Sequence, residues 1–204
     1  MELTVTEAEK LKDKPDESKL GFGTLFTDHM FNMDYTPDKG WHSARIVPYA
    51  PFTLEPSTMF LHYAQGAFEG LKAYRTESGN IQLFRPSENF KRLNRSCRRL
   101  CIPKIDEGFA LDVLKKLLTI EKDWVPAQPE TSLYIRATVI AMDPYLGVRA
   151  SHTYCFFIIF SPVGAYYPEG FNPVKIQVTS DYVRAVRGGV PRRGLSVASP
   201  PSPP

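Results

Sequence analysis

A tyrosine and an arginine two residues apart, in Ser132-Leu133-Tyr134-Ile135-Arg136, invite a chemical reading first. On a strand, successive side chains alternate between faces, so Tyr134, Arg136 and Thr138 share one face while Leu133, Ile135, Ala137 and Val139 take the other. A guanidinium flanked by apolar sequence needs an anionic partner, because burying it unpaired is costly. That partner is either a structural Asp or Glu, the commoner case, or the carboxylate of a ligand. Arg92 stands in the helix opened by Pro86 and is placed to meet a phosphate, although spacing alone makes it a solvated surface arginine like Arg95, Arg98 and Arg99. Tyr63 and Phe68, within His62-Tyr63-Ala64-Gln65-Gly66-Ala67-Phe68-Glu69-Gly70, either line a pocket or pack. There is no phosphate-binding glycine loop, dinucleotide fingerprint, HExxH or GxSxG.

The elements that must position these residues follow from periodicity and turn chemistry. Strands are expected at Thr24 to Tyr35 and Ala44 to Tyr49, joined at Pro37-Asp38-Lys39-Gly40. A hairpin is expected from Gly70 to Phe84, turning at Glu77-Ser78-Gly79-Asn80. Pro86 opens a helix (about 87–101) with Phe90, Leu93, Cys97, Leu100 and Cys101 at helical spacing. Asp106 caps a second helix (about 106–122) whose apolar residues include Val113, Leu114, Leu117 and Leu118. Further strands are expected at Thr131 to Met142, Thr153 to Phe160 and Val174 to Thr179. Two consecutive helices among strands give an α+β fold with a mainly antiparallel sheet, not alternating βαβ units.

Composition narrows the class. The chain has 204 residues, 43% of them hydrophobic, enough for a buried core. A net charge of +3, from 25 basic and 22 acidic side chains, gives no case for nucleic acid or an anionic membrane as main partner. No apolar run approaches the roughly 20 residues that span a bilayer. Residues 1–20 read as a charged, frayed leader without an apolar signal core, which makes a cytoplasmic location the expectation. Cys97, Cys101 and Cys155 are too few for a disulfide scaffold and have no partners for a metal site; buried, reduced thiols are expected. The last 14 residues hold five of the 18 prolines and no aromatic, so they cannot pack as strand or amphipathic helix.

Six blocks together resemble branched-chain amino acid aminotransferases of the fold-type IV pyridoxal-phosphate class. They are Phe26-Thr27-Asp28-His29-Met30, Phe68-Glu69-Gly70-Leu71-Lys72-Ala73-Tyr74, Leu83-Phe84-Arg85-Pro86, Ser132 to Arg136, Ser161-Pro162-Val163-Gly164-Ala165-Tyr166 and Arg184-Ala185-Val186-Arg187-Gly188-Gly189. The resemblance implies a small α+β domain over 21–165, then a linker and the first strand or strands of a larger, incomplete cofactor domain over 166–190. The segment 191–204 is expected to be a disordered, out-of-frame tail. It further implies that Arg92 and Arg184 hold the pyridoxal phosphate cofactor, and that Phe22, Tyr63, Tyr134 and Arg136 surround the substrate. Leu146 and Val148 would reach the partner's pocket in a homodimer. The implied substrates are the small molecules Leu, Ile, Val and 2-oxoglutarate. Gly194 occupies the position of the lysine that condenses with the cofactor aldehyde, so no catalytic residue is assigned and the chain is expected to be inactive as written. The alternatives are a non-catalytic truncated or frameshifted product able at most to dimerise, and a relative such as D-amino acid transaminase or aminodeoxychorismate lyase.

Overall fold

β-branched and aromatic residues alternating with polar ones draw seven strands into one sheet, and two amphipathic helices cover one of its faces. The structure is a computed structural model and describes residues 1–165 together with 173, 175, 176, 178 and 180. Its elements are β1 (Leu3–Val5), β2 (His29–Thr36), β3 (Gly40–Pro48), α1 (Met59–Tyr63), β4 (Gly66–Arg75), β5 (Ile81–Leu83), α2 (Pro86–Arg99), α3 (Glu107–Ile120), β6 (Ser132–Ala141) and β7 (Tyr154–Val163). The sheet runs β1-β3-β2-β7-β6-β4-β5, and every pairing is antiparallel except β1 with β3. The expected α+β fold is present over these residues.

The register explains the two faces. Tyr134 lies opposite Lys72 and Ser161, and Arg136 opposite Gly70 and Ile159, so these side chains emerge on one side of the sheet. Leu71, Ala73, Leu133, Ile135, Ala137, Val139, Phe156, Ile158 and Phe160 emerge on the other and are buried. There they meet Phe90, Leu93 and Cys97 of α2 and Val113, Leu114 and Leu117 of α3. α2 begins with Pro86 in its first turn after Arg85, whose φ of 48° sets the entry. α3 begins where Asp106 accepts from the Phe109 N–H at 2.7 Å, the expected cap.

Several expectations change. Residues 1–20 are not a frayed leader: Leu3–Val5 pairs in parallel with β3, and the segment beyond is fastened to β2. The Ala8 N–H donates to His29 Nε2 and the Lys12 N–H to Asp28 Oδ1, both at 2.8 Å, so buried acceptors at the start of β2 capture the segment's backbone. Lys14 pairs with Asp28 at 3.1 Å and lies 4.2 Å over the Trp124 ring. The strand expected from Thr24 begins only at His29. Cys101 is exposed, because α2 ends at Arg99 and a φ of 58° turns Cys101 off the helical face that buries Cys97. The short helix α1 has no counterpart among the expected elements. Of the strand expected at Val174 to Thr179, Val174, Gln177 and Thr179 lie outside the described residues. Lys175, Ile176 and Val178 are in no strand, with Ile176 82% and Val178 92% exposed. Tyr166 to Asn172, Arg184, Gly194 and the whole of 191–204 also lie outside the described residues.

Candidate functional site

The face of the sheet away from the helices carries a polar and aromatic cluster. Arg136 Nη2 donates to the Tyr134 hydroxyl at 3.0 Å. The Arg136 guanidinium lies 4.2 Å over the Phe68 ring and 5.4 Å from the Tyr134 ring, a stacking that suits a planar, weakly hydrated cation. Phe22 packs on Tyr134 with ring centroids 5.2 Å apart. Gly70 makes this possible, since a Cβ there would run into the Tyr134 hydroxyl. Strand periodicity therefore read the shared face of Tyr134 and Arg136 correctly.

Among the described residues no Asp or Glu pairs with Arg136, so the structural-carboxylate reading finds no support, and its Nε is buried without a hydrogen-bond partner. Three more buried polar atoms lack partners: Asn32 Oδ1, Ser132 Oγ and Ser161 Oγ. Register puts all of them on this same face: Ser161 pairs with Tyr134, Ser132 shares its strand parity, and Asn32 and Thr138 both pair with Phe157. Orphaned polar groups cost about 1 to 3 kcal/mol each, and natural folds rarely leave four together.

Tyr63 and Leu146 come together elsewhere, at the end of β6, where the Tyr63 hydroxyl donates to the Leu146 carbonyl. The loop between β6 and β7 that carries Leu146 and Val148 is held by Asp143. Its carboxylate accepts from the Thr153 hydroxyl (2.5 Å), the N–H groups of His152 and Thr153 (2.9 Å each) and Arg149 Nη1 (2.7 Å). Burial would push this carboxyl up, but those four donors outweigh it and hold it well below the usual carboxylate range. Val148, at the tip, is 90% exposed.

Arg92 is not a free surface arginine. Its Nε donates to Glu69 Oε1 at 2.6 Å and its Nη2 to Oε2 at 2.8 Å. Hydrogen bonding to Glu69 pushes the guanidinium's pKa further above its ordinary value. Glu69 projects from β4 on the helix-covered side, alternating with Phe68 and Gly70, so Arg92 and the Tyr134–Arg136 cluster approach β4 from opposite sides. Beside Arg92 is a depression of about 320 Å³ lined by Phe84, Arg85, Glu88, Asn89 and Arg95. Three arginines line it, and the one acid that also lines it, Glu88, is paired with Lys91 at 2.8 Å. That donor set fits a phosphate. Glu69 and Asp143 escaped the sequence reading. The available signal for Glu69 was an acid at a position whose same-face neighbours, Ala67, Leu71 and Ala73, are all apolar.

No known protein-family profile matches the chain. Curated proteins do. It is 57% identical over 189 residues to branched-chain-amino-acid aminotransferase 2 of Bacillus subtilis (strain 168), covering 93% of this chain and 51% of that protein. It is 55% identical over 183 residues to a probable branched-chain-amino-acid aminotransferase of Staphylococcus aureus (strain MRSA252), covering 89% and 51%. The chain is homologous to branched-chain-amino-acid aminotransferases. It spans about half the length of the curated relatives it matches. The fold agrees with solved branched-chain aminotransferases. The enzyme from Thermoproteus uzoniensis, solved with norvaline, superposes with a TM-score of 0.54 at 20% identity, over 69% of this chain and 43% of that one. Another branched-chain amino acid aminotransferase, from T.th. and solved with pyridoxamine 5'-phosphate, gives 0.52 at 23% identity, over 74% and 42%. The α+β sheet is thus that of fold-type IV branched-chain aminotransferases.

Proposed function

We propose that this chain carries the substrate-facing part of a pyridoxal phosphate-dependent branched-chain aminotransferase, and that as written it does not complete transamination. The observation that carries the reading is Arg136. It is half-buried on an aromatic face beside Tyr134, Phe68 and Phe22, with a buried Nε that no group among the described residues satisfies. The aromatics would enclose a branched aliphatic side chain, and the guanidinium would meet a carboxylate of an amino acid or of 2-oxoglutarate. Arg92 would take the cofactor phosphate, together with Arg184. Tyr63 would complete the cavity wall. Leu146 and Val148, on the loop fixed by Asp143, would reach a second copy of the chain, which their exposure supports. Pyridoxal phosphate, when bound, supplies the electron sink through which an amino group passes between amino acid and oxo acid.

A lysine amine must bond the cofactor and move the substrate's α-proton, and the position that the resemblance assigns to it holds Gly194. Arg192 and Arg193 cannot replace it, because a guanidinium stays protonated and offers no free amine. A cytoplasmic site of action belongs to the same proposal. Among the described residues no helix is long and apolar enough to cross a membrane.

The test is purified full chain mixed with pyridoxal phosphate, reduced with borohydride and mapped by peptide mass, beside an assay for leucine-dependent glutamate formation from 2-oxoglutarate. Sparse labelling over several lysines and no glutamate are expected. Stoichiometric labelling of one lysine together with glutamate formation would overturn the inactive reading.

A further inference from the structure

Glu69 is an acid where the alternation of β4 calls for an apolar side chain. Ala67, Leu71 and Ala73 on the same face are buried, and Glu69 itself is only 2% exposed. A buried carboxylate is tolerated when it is paired and its lone pairs are used, and here both oxygens are. Oε1 accepts from Arg92 Nε, while Oε2 accepts from Arg92 Nη2 and, at 2.9 Å, from Asn89 Nδ2. β5 pairs with β4 only at Ala73 to Arg75, so among the described residues no strand lies beside Glu69 and Gly70 on that edge. Asn89 reaches the Gly70 carbonyl there at 3.4 Å. Arg92 is thus fastened at an open sheet edge, next to the depression it shares with Arg85 and Arg95.

The fastening has a direction. A guanidinium offers five N–H donors in one plane, and Glu69 takes two of them, both on the Nε–Nη2 side. Nη1, on the far side of the plane, makes no hydrogen bond among the described residues. Two roles fit an acid in this position, and they oppose each other. As a neutraliser, Glu69 would cancel the charge of Arg92 and compete with any anion. As an orienter, it would lock the plane of the fork and leave the remaining donors facing outward, removing the cost of ordering a long side chain when a ligand arrives.

We propose that Glu69, supported by Asn89, is a positioning residue that holds Arg92 by its Nε–Nη2 edge so that Nη1 and the second Nη2 hydrogen are presented to the cofactor phosphate. The inference rests on the reading of Arg92 as the phosphate arginine. A neutral Gln at 69 cannot reproduce a two-acceptor grip, since one of its two terminal atoms is a donor. It would also raise the local positive charge. Orientation and charge therefore push phosphate affinity in opposite directions, and the sign of the change identifies the role.

The experiment uses the full chain as wild type, Glu69→Gln and Arg92→Lys. Fluorescence titration with pyridoxal phosphate and with pyridoxal measures the preference for the phosphorylated ligand. Inorganic phosphate is then titrated into ¹⁵N-arginine-labelled wild type. Wild type is expected to prefer pyridoxal phosphate, Arg92→Lys to erase that preference, and Glu69→Gln to cut it about tenfold, the size of one charge-assisted hydrogen bond. The Arg92 Nη signals should move with phosphate while the Nε–H, bound to Glu69, holds its position. An unchanged or stronger preference in Glu69→Gln overturns the proposal, as does an Nε–H signal that moves as far as the Nη signals. If Glu69→Gln does not fold, the wild-type titration decides alone. No wild-type preference for pyridoxal phosphate, or a preference that Arg92→Lys leaves intact, sinks the reading of Arg92 and the proposal with it. A preference erased by Arg92→Lys but kept in Glu69→Gln removes only the role of Glu69.

Discussion

The two faces of this sheet are made by the same strands, yet they obey different rules. On the helix-covered face nearly every side chain is apolar and closed from solvent, from Phe31 and Phe156 through Ile135 to Leu114 and Leu117. On the other face Phe68, Tyr134, Arg136 and Thr138 are half-buried, and all four of the orphaned buried polar atoms among the described residues are found there. One face is finished by this chain's own helices. The other keeps polar atoms that none of the described residues satisfies. Each strand therefore carries two sets of instructions one residue out of phase.

The largest effect should come from the finished face. Phe156 is fully buried between Phe31 and Trp41, with ring centroids 5.9 and 6.4 Å away. Phe156→Ala should cost about 3 to 5 kcal/mol, from lost transfer energy plus the cavity left in a packed core. Its neighbour Phe157 points the other way and packs on Phe52 at 5.0 Å. Phe157→Ala should cost about 1 to 2 kcal/mol, since a partly exposed ring loses less on removal. Urea unfolding of both variants measures the difference. Equal losses would mean the open face is as tightly packed as the covered one, and the comparison would fail.

What was legible divides along similar lines. Local or periodic features were readable: the Asp106 cap, the Pro86 start, and the shared face of Tyr134 and Arg136, which needs nothing beyond a period of two. Features that depend on a distant partner were not. Leu3–Val5 is three residues amid charges, and only the free edge of β3 makes it a strand. The buried pair of His29 Nδ1 with Glu121 Oε1, at 2.5 Å, joins residues 92 apart in the chain. Spacing made Arg92 a surface residue, and Glu69 decides otherwise from another element. Cys101 follows helical periodicity on paper, but the helix stops before it.

A middle-sized effect is expected at the rim between the faces, where Asp143 ties down the loop bearing Leu146 and Val148. The unfolded carboxyl titrates near 3.9 and the folded one lies lower, so on acidification the unfolded chain takes up the proton first. Stability from Asp143 is therefore fully present above about pH 4 to 5 and falls away as the pH drops toward the folded value. Asp143→Asn should cost about 1.5 to 3 kcal/mol at neutral pH, the range for hydrogen bonds to a charged group. It should also flatten the acid limb of the stability–pH curve. Chemical denaturation from pH 3 to 7 checks both, and an acid limb as steep in the variant as in wild type would assign that limb to other carboxylates.

The smallest expected change in stability belongs to Gly70→Ala, and it tests the open face most directly. Gly70 is a strand interior position, where alanine ordinarily stabilises by about 0.4 to 1 kcal/mol because the unfolded chain has less freedom to lose. Against this, the new methyl would meet the Tyr134 hydroxyl. The obstacle is the far end of a half-buried side chain and not backbone, so Tyr134 can rotate away at modest cost. The two contributions nearly cancel, and the unfolding midpoint should move little. The local consequence is larger. Once Tyr134 swings out, Arg136 loses its hydroxyl acceptor at 3.0 Å and Phe22 loses its ring contact at 5.2 Å. Tyr134 ring chemical shifts and the nuclear Overhauser contacts between Tyr134 and Phe22 should therefore change sharply in a protein of unchanged stability. A large drop in stability would show that Tyr134 is packed as rigidly as the residues beneath the helices. Unchanged contacts would show that β4 yields before the tyrosine does, so that Gly70 is not what makes room for the cluster.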